Sequence, residues 1–268
     1  MIAQFVGGTT MATLAGQPPR AVRGDDRFFL TMAIVMALVV VAGFSFQLAM
    51  GRSTFASPPL VHAHAIVFMG WVAIYVTQNG LNVLESRALH RRLGWIAAFW
   101  VAAMIVLGFA VALTMVRRGA VPFFFPPLQF LIFSPLSLLT FAGLTAAAIV
   151  LRRRTDWHRR LHYCGMSVLL GPPIGRLLPV PLLIPYAFET ISAVVMAFPI
   201  IGMAADLRRG GRVHPAWYWG LGAIVGYFLL TEAISYGPIG PTIYAAVTAG
   251  SPAASLNPLA FPAWPPAP

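Results

Sequence analysis

The sequence predicts an all-α integral membrane protein, a helical bundle of about seven transmembrane helices with a cytoplasmic N-terminus and a periplasmic C-terminus. Three observations carry that expectation. Composition is the first: 59% of the 268 residues are hydrophobic, only 9% are charged, and mean hydropathy is +0.79, where a soluble domain carries about 25% charged residues. A soluble fold of this length has too little interior to hide that much apolar surface. The second is a series of apolar runs of about 20 residues, the helix length that crosses a hydrocarbon core. The third is the placement of arginine, which supplies all 18 basic residues. Fourteen occupy alternate inter-span segments, from Arg20, Arg23 and Arg27 to Arg208, Arg209 and Arg212; only Arg52, Arg117, Arg118 and Arg176 fall on the other side. Arginine beside a span is retained on the cytoplasmic face, so this bias sets the orientation.

Each element has its own signal. Residues 1–27 are rich in Gly, Thr and Pro, lack an apolar core and are followed by no small-residue cleavage site, so they read as a retained cytoplasmic leader rather than a signal peptide. The bundle occupies residues 28–236. Its first span, Phe28–Met50, is almost uninterrupted, and the second, Leu60–Val83, opens after Ser57-Pro58-Pro59, as proline favours at a helix start. The third, Gly94–Val116, follows Arg87, Arg91 and Arg92, and the fourth, Pro127–Leu151, runs into Arg152, Arg153 and Arg154. The fifth, Leu161–Val180, holds Pro172-Pro173, which breaks the backbone ladder in mid-span as a kink, hinge or pocket floor. Leu178-Pro179-Val180-Pro181 separates it from the sixth, Ile184–Ala205, and the seventh is Pro215–Ser235. Residues 237–268 form a periplasmic tail, and its Pro- and Ala-rich stretch from about Gly250 onward is expected to be extended or disordered outside the membrane. The lone Cys164 rules out an internal disulfide and reads as a small buried apolar residue.

The net charge of +11 belongs to this topology and to contact with the anionic lipid headgroups of a bacterial inner membrane. Basic clusters between spans give a nucleic-acid partner no support. The chain also repeats itself. ALHRRLGW at Ala88–Trp95 returns as DWHRRLHY at Asp156–Tyr163, and the same offset lays spans two and three over spans four and five. This pattern fits a duplicated helix pair related by a pseudo-two-fold axis along the membrane normal; arginine-rich loops also resemble one another through topology alone.

Helix geometry sorts the polar residues. In HAHAIVFMGW, the face from His64 runs through Phe68, Trp71, Tyr75, Gln78 and Asn82, whereas that from His62 runs through Ile66, Met69, Ala73 and Val76. The His64 stripe is polar and aromatic and is expected to face the bundle interior. His62 and His64 point roughly 200° apart on a regular helix, so they bind one metal only if the chain near Ser57-Pro58-Pro59 is still extended there. Arg176, Glu189 and Glu232 fall in the outer parts of the later spans with His64. Ionisable residues at such depth mark a site or a substrate path, although an Arg176–Glu189 salt bridge that merely locks two helices is the plain alternative.

His90, His158 and His162 form an inner group. His158 and His162 are four residues apart on one helical face, as two metal ligands would be, and paired imidazoles from neighbouring helices also serve as axial ligands of haem b. His214 opens the seventh span, and a histidine at a helix entrance is often only interfacial. No phosphate loop, H-E-x-x-H helix, cysteine pair or G-x-S-x-G elbow occurs. HAHAIVFMGW, ALHRRLGW, DWHRRLHYCGM with GRLLP, and DLRRGGRVHPAWYWG together resemble a family of bacterial polytopic inner-membrane proteins that carry these motifs in this order. The resemblance spans most of residues 57–220 and implies location and topology; it brings no activity with it. His62, His64, Gly70 and Trp71 also resemble the helix mouth of b-type cytochromes and haem–copper-like membrane proteins, which implies a haem or transition metal. Two functions follow as expectations: a membrane redox protein with a redox partner, holding haem or metal either at the periplasmic side through His64 with Glu189 or Glu232 or at the cytoplasmic side through His90, His158 and His162, or a proton-linked small-molecule transporter using Arg176, Glu189 and the Tyr75–Gln78 stripe. A structural membrane protein whose polar residues specify packing is the third reading.

Overall fold

Proline and acidic residues open the helices of this chain, and glycine closes one of the longest. The computed structural model describes residues 24–263 except residue 54; the leader up to residue 23, with Arg20 and Arg23, and residues 264–268 lie outside the described residues. The helices are α1 (Gly24–Ala49), α2 (Pro59–Val83), α3 (Arg87–Arg117), α4 (Pro127–Val150), α5 (Thr155–Val168), α6 (Gly171–Leu177), α7 (Ala187–Gly210), α8 (Pro215–Ser235) and α9 (Ile239–Thr248). Short 3₁₀ turns cover Val180–Leu182 and Pro252–Ser255, and no strand occurs among the described residues. Asp25 and Asp26 occupy the first turn of α1, where the helix dipole favours negative charge. Proline begins α2, α4 and α8, where its missing N–H is not needed. Gly211 ends α7 at φ 69°, a left-handed turn that suits glycine.

Among the described residues, five helices (α1, α2, α3, α4 and α7) are long and apolar enough to cross a membrane. A sixth crossing is obtained only if α8 and α9 are counted together, across a bend of 81°. Large apolar side chains on the outside of the bundle suit lipid: Phe99 is 79% exposed and Ile66 68%, while Trp217 is fully buried. Water would penalise so wide an apolar surface; hydrocarbon does not.

The run expected as the fifth span is divided. α5 stops at Val168 and α6 starts at Gly171, because Pro172 and Pro173 lack the N–H groups that a continuous ladder needs and fit only the first turn of a new helix. α5 is also too polar to face lipid along its first turns. Its last residues, Tyr163 to Val168, are buried in succession, so neighbouring helices shield it instead. Gly43 of α1 makes room for the broken segment, since a Cβ there would lie 2.6 Å from the Pro173 carbonyl oxygen.

The segment after α8 is also more ordered than its composition implied. α9 packs Tyr244 among Val116, Leu128 and Ile132. Arg117 closes α9 by donating to the Val247 and Ala249 carbonyls at 2.7 and 3.4 Å. The Pro258 carbonyl accepts from the Leu128 N–H at 2.9 Å, meeting a donor that the first turn of α4 leaves open.

Candidate functional site

Three of the singled-out histidines meet near the arginine-rich end of the bundle. The α2–α3 turn positions His90, whose Nδ1 lies 3.3 Å from the Gln78 backbone carbonyl, while Gln78 Nε2 donates back to the His90 carbonyl at 3.2 Å. The α4–α5 turn treats His158 the same way, with Nδ1 2.8 Å from the Ala148 carbonyl. A carbonyl oxygen can only accept, so Nδ1 carries the proton in both rings and Nε2 keeps its lone pair when the ring is neutral. The rings of His90 and His158 are 6.3 Å apart, and His162, one turn further along α5, packs edge-on against His158 at 4.7 Å. All three are half-buried.

Buried polar atoms without partners occur on the same helices, α2 and α4. Among the described residues, Gln78 Oε1 and Thr145 Oγ1 are buried and make no hydrogen bond, nor does Trp71 Nε1 further along α2. Thr145 faces Gly165 of α5, where a Cβ would come within 3.4 Å of its hydroxyl. Tyr75, one turn from Gln78, is buried, and Asn79 donates to its carbonyl at 2.9 Å. Asn82 is exposed and donates to Asp26 at 3.2 Å. Thus Trp71 and Tyr75 of the His64 stripe face inward, while Ile66 and Ala73 of the other stripe are exposed.

The other end of the bundle divides its polar residues into two places. His62 and His64 both lie on regular helix, because α2 begins at Pro59. His62 Nε2 is 3.1 Å from the Phe55 carbonyl, whereas the His64 ring stacks on Phe68 at 4.1 Å, so the two do not meet at one centre. Arg176 and Glu189 form no salt bridge. Arg176 sits over Phe44 of α1, with its guanidinium 4.5 Å from the ring centre. Glu189 lies in the first turn of α7, and among the described residues its buried Oε2 has no partner. Glu232 accepts from Gln129 Nε2 at 2.9 Å, which ties α8 to α4.

A charged network at the arginine-rich end went unread in the sequence. Arg160 Nε and Nη2 reach the two Asp206 oxygens at 2.9 and 2.7 Å, with side chains only 7% and 4% exposed. Trp217 Nε1 adds a 2.8 Å bond to Asp206, and Asp25 and Asp26 bring the start of α1 onto Arg159 and Arg209 at 3.1–3.6 Å. The available clue was Asp206 itself, an acid in the closing turns of a helix, where the dipole disfavours it unless cations compensate.

Among the described residues no three His, Cys, Asp or Glu side chains stand together as a metal-holding group. A closed centre with three or four such ligands therefore does not fit, whereas a centre using two imidazoles, as bis-histidine haem does, fits the donor set of His90 and His158. No protein-family model, curated protein or solved structure matches the chain.

Proposed function

We propose that this is a seven-crossing protein of a bacterial inner membrane, N-terminus cytoplasmic and C-terminus periplasmic, that binds haem b or a transition metal ion through imidazoles at its cytoplasmic side and passes electrons to or from a redox partner. In this arrangement α5 and α6 together make the fifth crossing, and the Arg-rich loops meet anionic headgroups. The observation that carries the reading is the matched anchoring of His90 and His158. A ligating imidazole commonly donates its second N–H to a carbonyl, which fixes the tautomer and turns the free nitrogen to the ligand. Gln78 and Ala148 supply those carbonyls. Bound haem or metal would supply one-electron chemistry; the chain's own part is to hold the two rings, with His162 behind His158, and to keep water from them with the surrounding helices.

Absorption spectra of the detergent-purified protein, oxidised and dithionite-reduced, with metal analysis of the same sample, test this. The expected result is a Soret band, or a stoichiometric metal, that is lost in His158→Ala and weakened in His90→Ala. A colourless, metal-free preparation expressed with ample haem and metal overturns it. The transporter reading would then take its place, favoured by the buried, partnerless Glu189 Oε2. Ionisable residues with open polar atoms inside a bundle commonly line a substrate path.

A further inference from the structure

Arg176 closes α6 at the end of the bundle away from the Arg-rich loops. Among the described residues no carboxylate lies within ion-pair distance of it; the ion pairs belong to Arg159, Arg160 and Arg209. Of its five N–H donors, one bond is made, from Nη1 to the Pro172 carbonyl at 2.9 Å. Arg117, at the same end, spends its donors on α9. The surroundings of Arg176 are otherwise apolar or donor-rich. Phe44 lies under the guanidinium, and Gln47 Nε2 donates to the Arg176 carbonyl at 3.2 Å. On α2, which packs against α1 as α6 does, the His64 ring stacks on Phe68 at 4.1 Å, and among the described residues its Nδ1 is buried with no partner. A guanidinium with open donors is expensive in hydrocarbon, so such a residue usually faces an anion or water.

We propose that the corner formed by the ends of α1 and α6 and the start of α2 binds an amphiphilic anion, a phosphate or carboxylate head on an acyl body. Arg176 takes two oxygens of the head, as its planar fork favours. His64 Nδ1 forms a further hydrogen bond to the head, and Phe44 and Phe68 lie against the first carbons of the body. Val41, exposed on α1 one turn from Phe44 toward the middle of the helix, continues that contact along the bundle surface. The head belongs either to a membrane phospholipid or to a free fatty anion, and both present the same chemistry to Arg176. This site is independent of the histidine centre and stands whether or not a cofactor binds there.

Nanodiscs of phosphatidylcholine with a minority of phosphatidylglycerol, analysed by native mass spectrometry, provide the test. The full-length protein is expected to retain phosphatidylglycerol several-fold above its share of the bilayer. Arg176→Gln should return that ratio to the bulk value and His64→Gln should lower it, while Arg118→Gln, an exposed arginine at the same end, leaves it unchanged. Arg176→Gln removes a charge that holds no ion pair, and His64→Gln reports separately should the first variant fold poorly. Thermal stabilisation by decanoate or inorganic phosphate in lipid-free detergent, abolished by Arg176→Gln, would assign the site to a free anion and supports it equally. Equal phosphatidylglycerol retention by wild type and Arg176→Gln, with no stabilisation by either anion, overturns the proposal.

Discussion

Asp206 is the residue through which four helices meet. It holds Arg160 of α5 with two bonds, accepts from Trp217 of α8 and from the His214 N–H at 3.3 Å, and stands on α7; Arg160 in turn approaches Asp25 of α1 at 3.7 Å. Asp206→Asn leaves a buried guanidinium without its nearest counter-charge, which costs about 3–5 kcal/mol. Trp217→Phe removes one hydrogen bond to a charged group, about 1.5–3 kcal/mol. Unfolding temperatures in detergent should fall in that order, and an Asp206→Asn protein as stable as wild type would remove the network from the account. The sequence displayed Asp206 among many arginines; which one meets it depends on packing between positions 46 residues apart, and no local pattern encodes that. His214 adds a pH dependence. Burial, and then the Arg160 charge, lower its imidazole below the ordinary 6.5 against the opposing pull of Asp156 and Asp206. The unfolded chain therefore takes up a proton that the folded ring refuses, so this stability is present above pH 6.5 and is lost as pH falls below it. His214 Nδ1 also accepts from the Ala216 N–H at 3.2 Å, capping α8. His214→Asn keeps a capping acceptor that does not titrate. It should flatten the acid-side decline in unfolding temperature, and an unchanged slope would assign that decline to another group.

At the scale of elements, the α5–α6 break was legible and the reason it is tolerated was not. Pro172-Pro173 announces a break from chemistry alone. That α1 approaches the break at Gly43 depends on tertiary placement, because a glycine in a long apolar run looks the same whether it meets lipid or a neighbouring backbone. Gly143 of α4 supplies the comparison, since a Cβ there meets nothing within 4 Å, whereas at Gly43 it would meet the Pro173 backbone at 2.6 Å. Gly43→Ala should destabilise by about 1–3 kcal/mol through overpacking. Gly143→Ala should be neutral or stabilise by up to about 1 kcal/mol, the helix preference for alanine. Equal effects of the two would mean that α1 does not rest on α6. α9 was not legible for a related reason: the ten residues Ile239–Thr248 carry too little signal, and Tyr244, Arg117 and Leu128 order the segment only once the bundle exists.

At the scale of the molecule, the alternation of apolar runs and arginines was readable because bilayer thickness and charge retention act on composition directly. The polar fifth run carries less of that signal, since its neighbours rather than lipid surround it. The HRRL echo has a structural counterpart: the α2–α3 and α4–α5 hairpins each anchor a histidine Nδ1 on a carbonyl of their first helix, and the two rings then stand 6.3 Å apart. If the hairpins are copies related by an axis near this pair, each ring is part of the other's environment. Two similar loops that arose from topology alone would have no such dependence. A double-mutant cycle separates the cases. His90→Gln and His158→Gln should each destabilise the detergent-solubilised protein, by about 1 kcal/mol for the lost hydrogen bond, and the double variant should depart from their sum by at least about 0.5 kcal/mol. Additive losses would describe two independent loop clasps, and the histidine pair would then lose its claim to be a single centre shared by both hairpins.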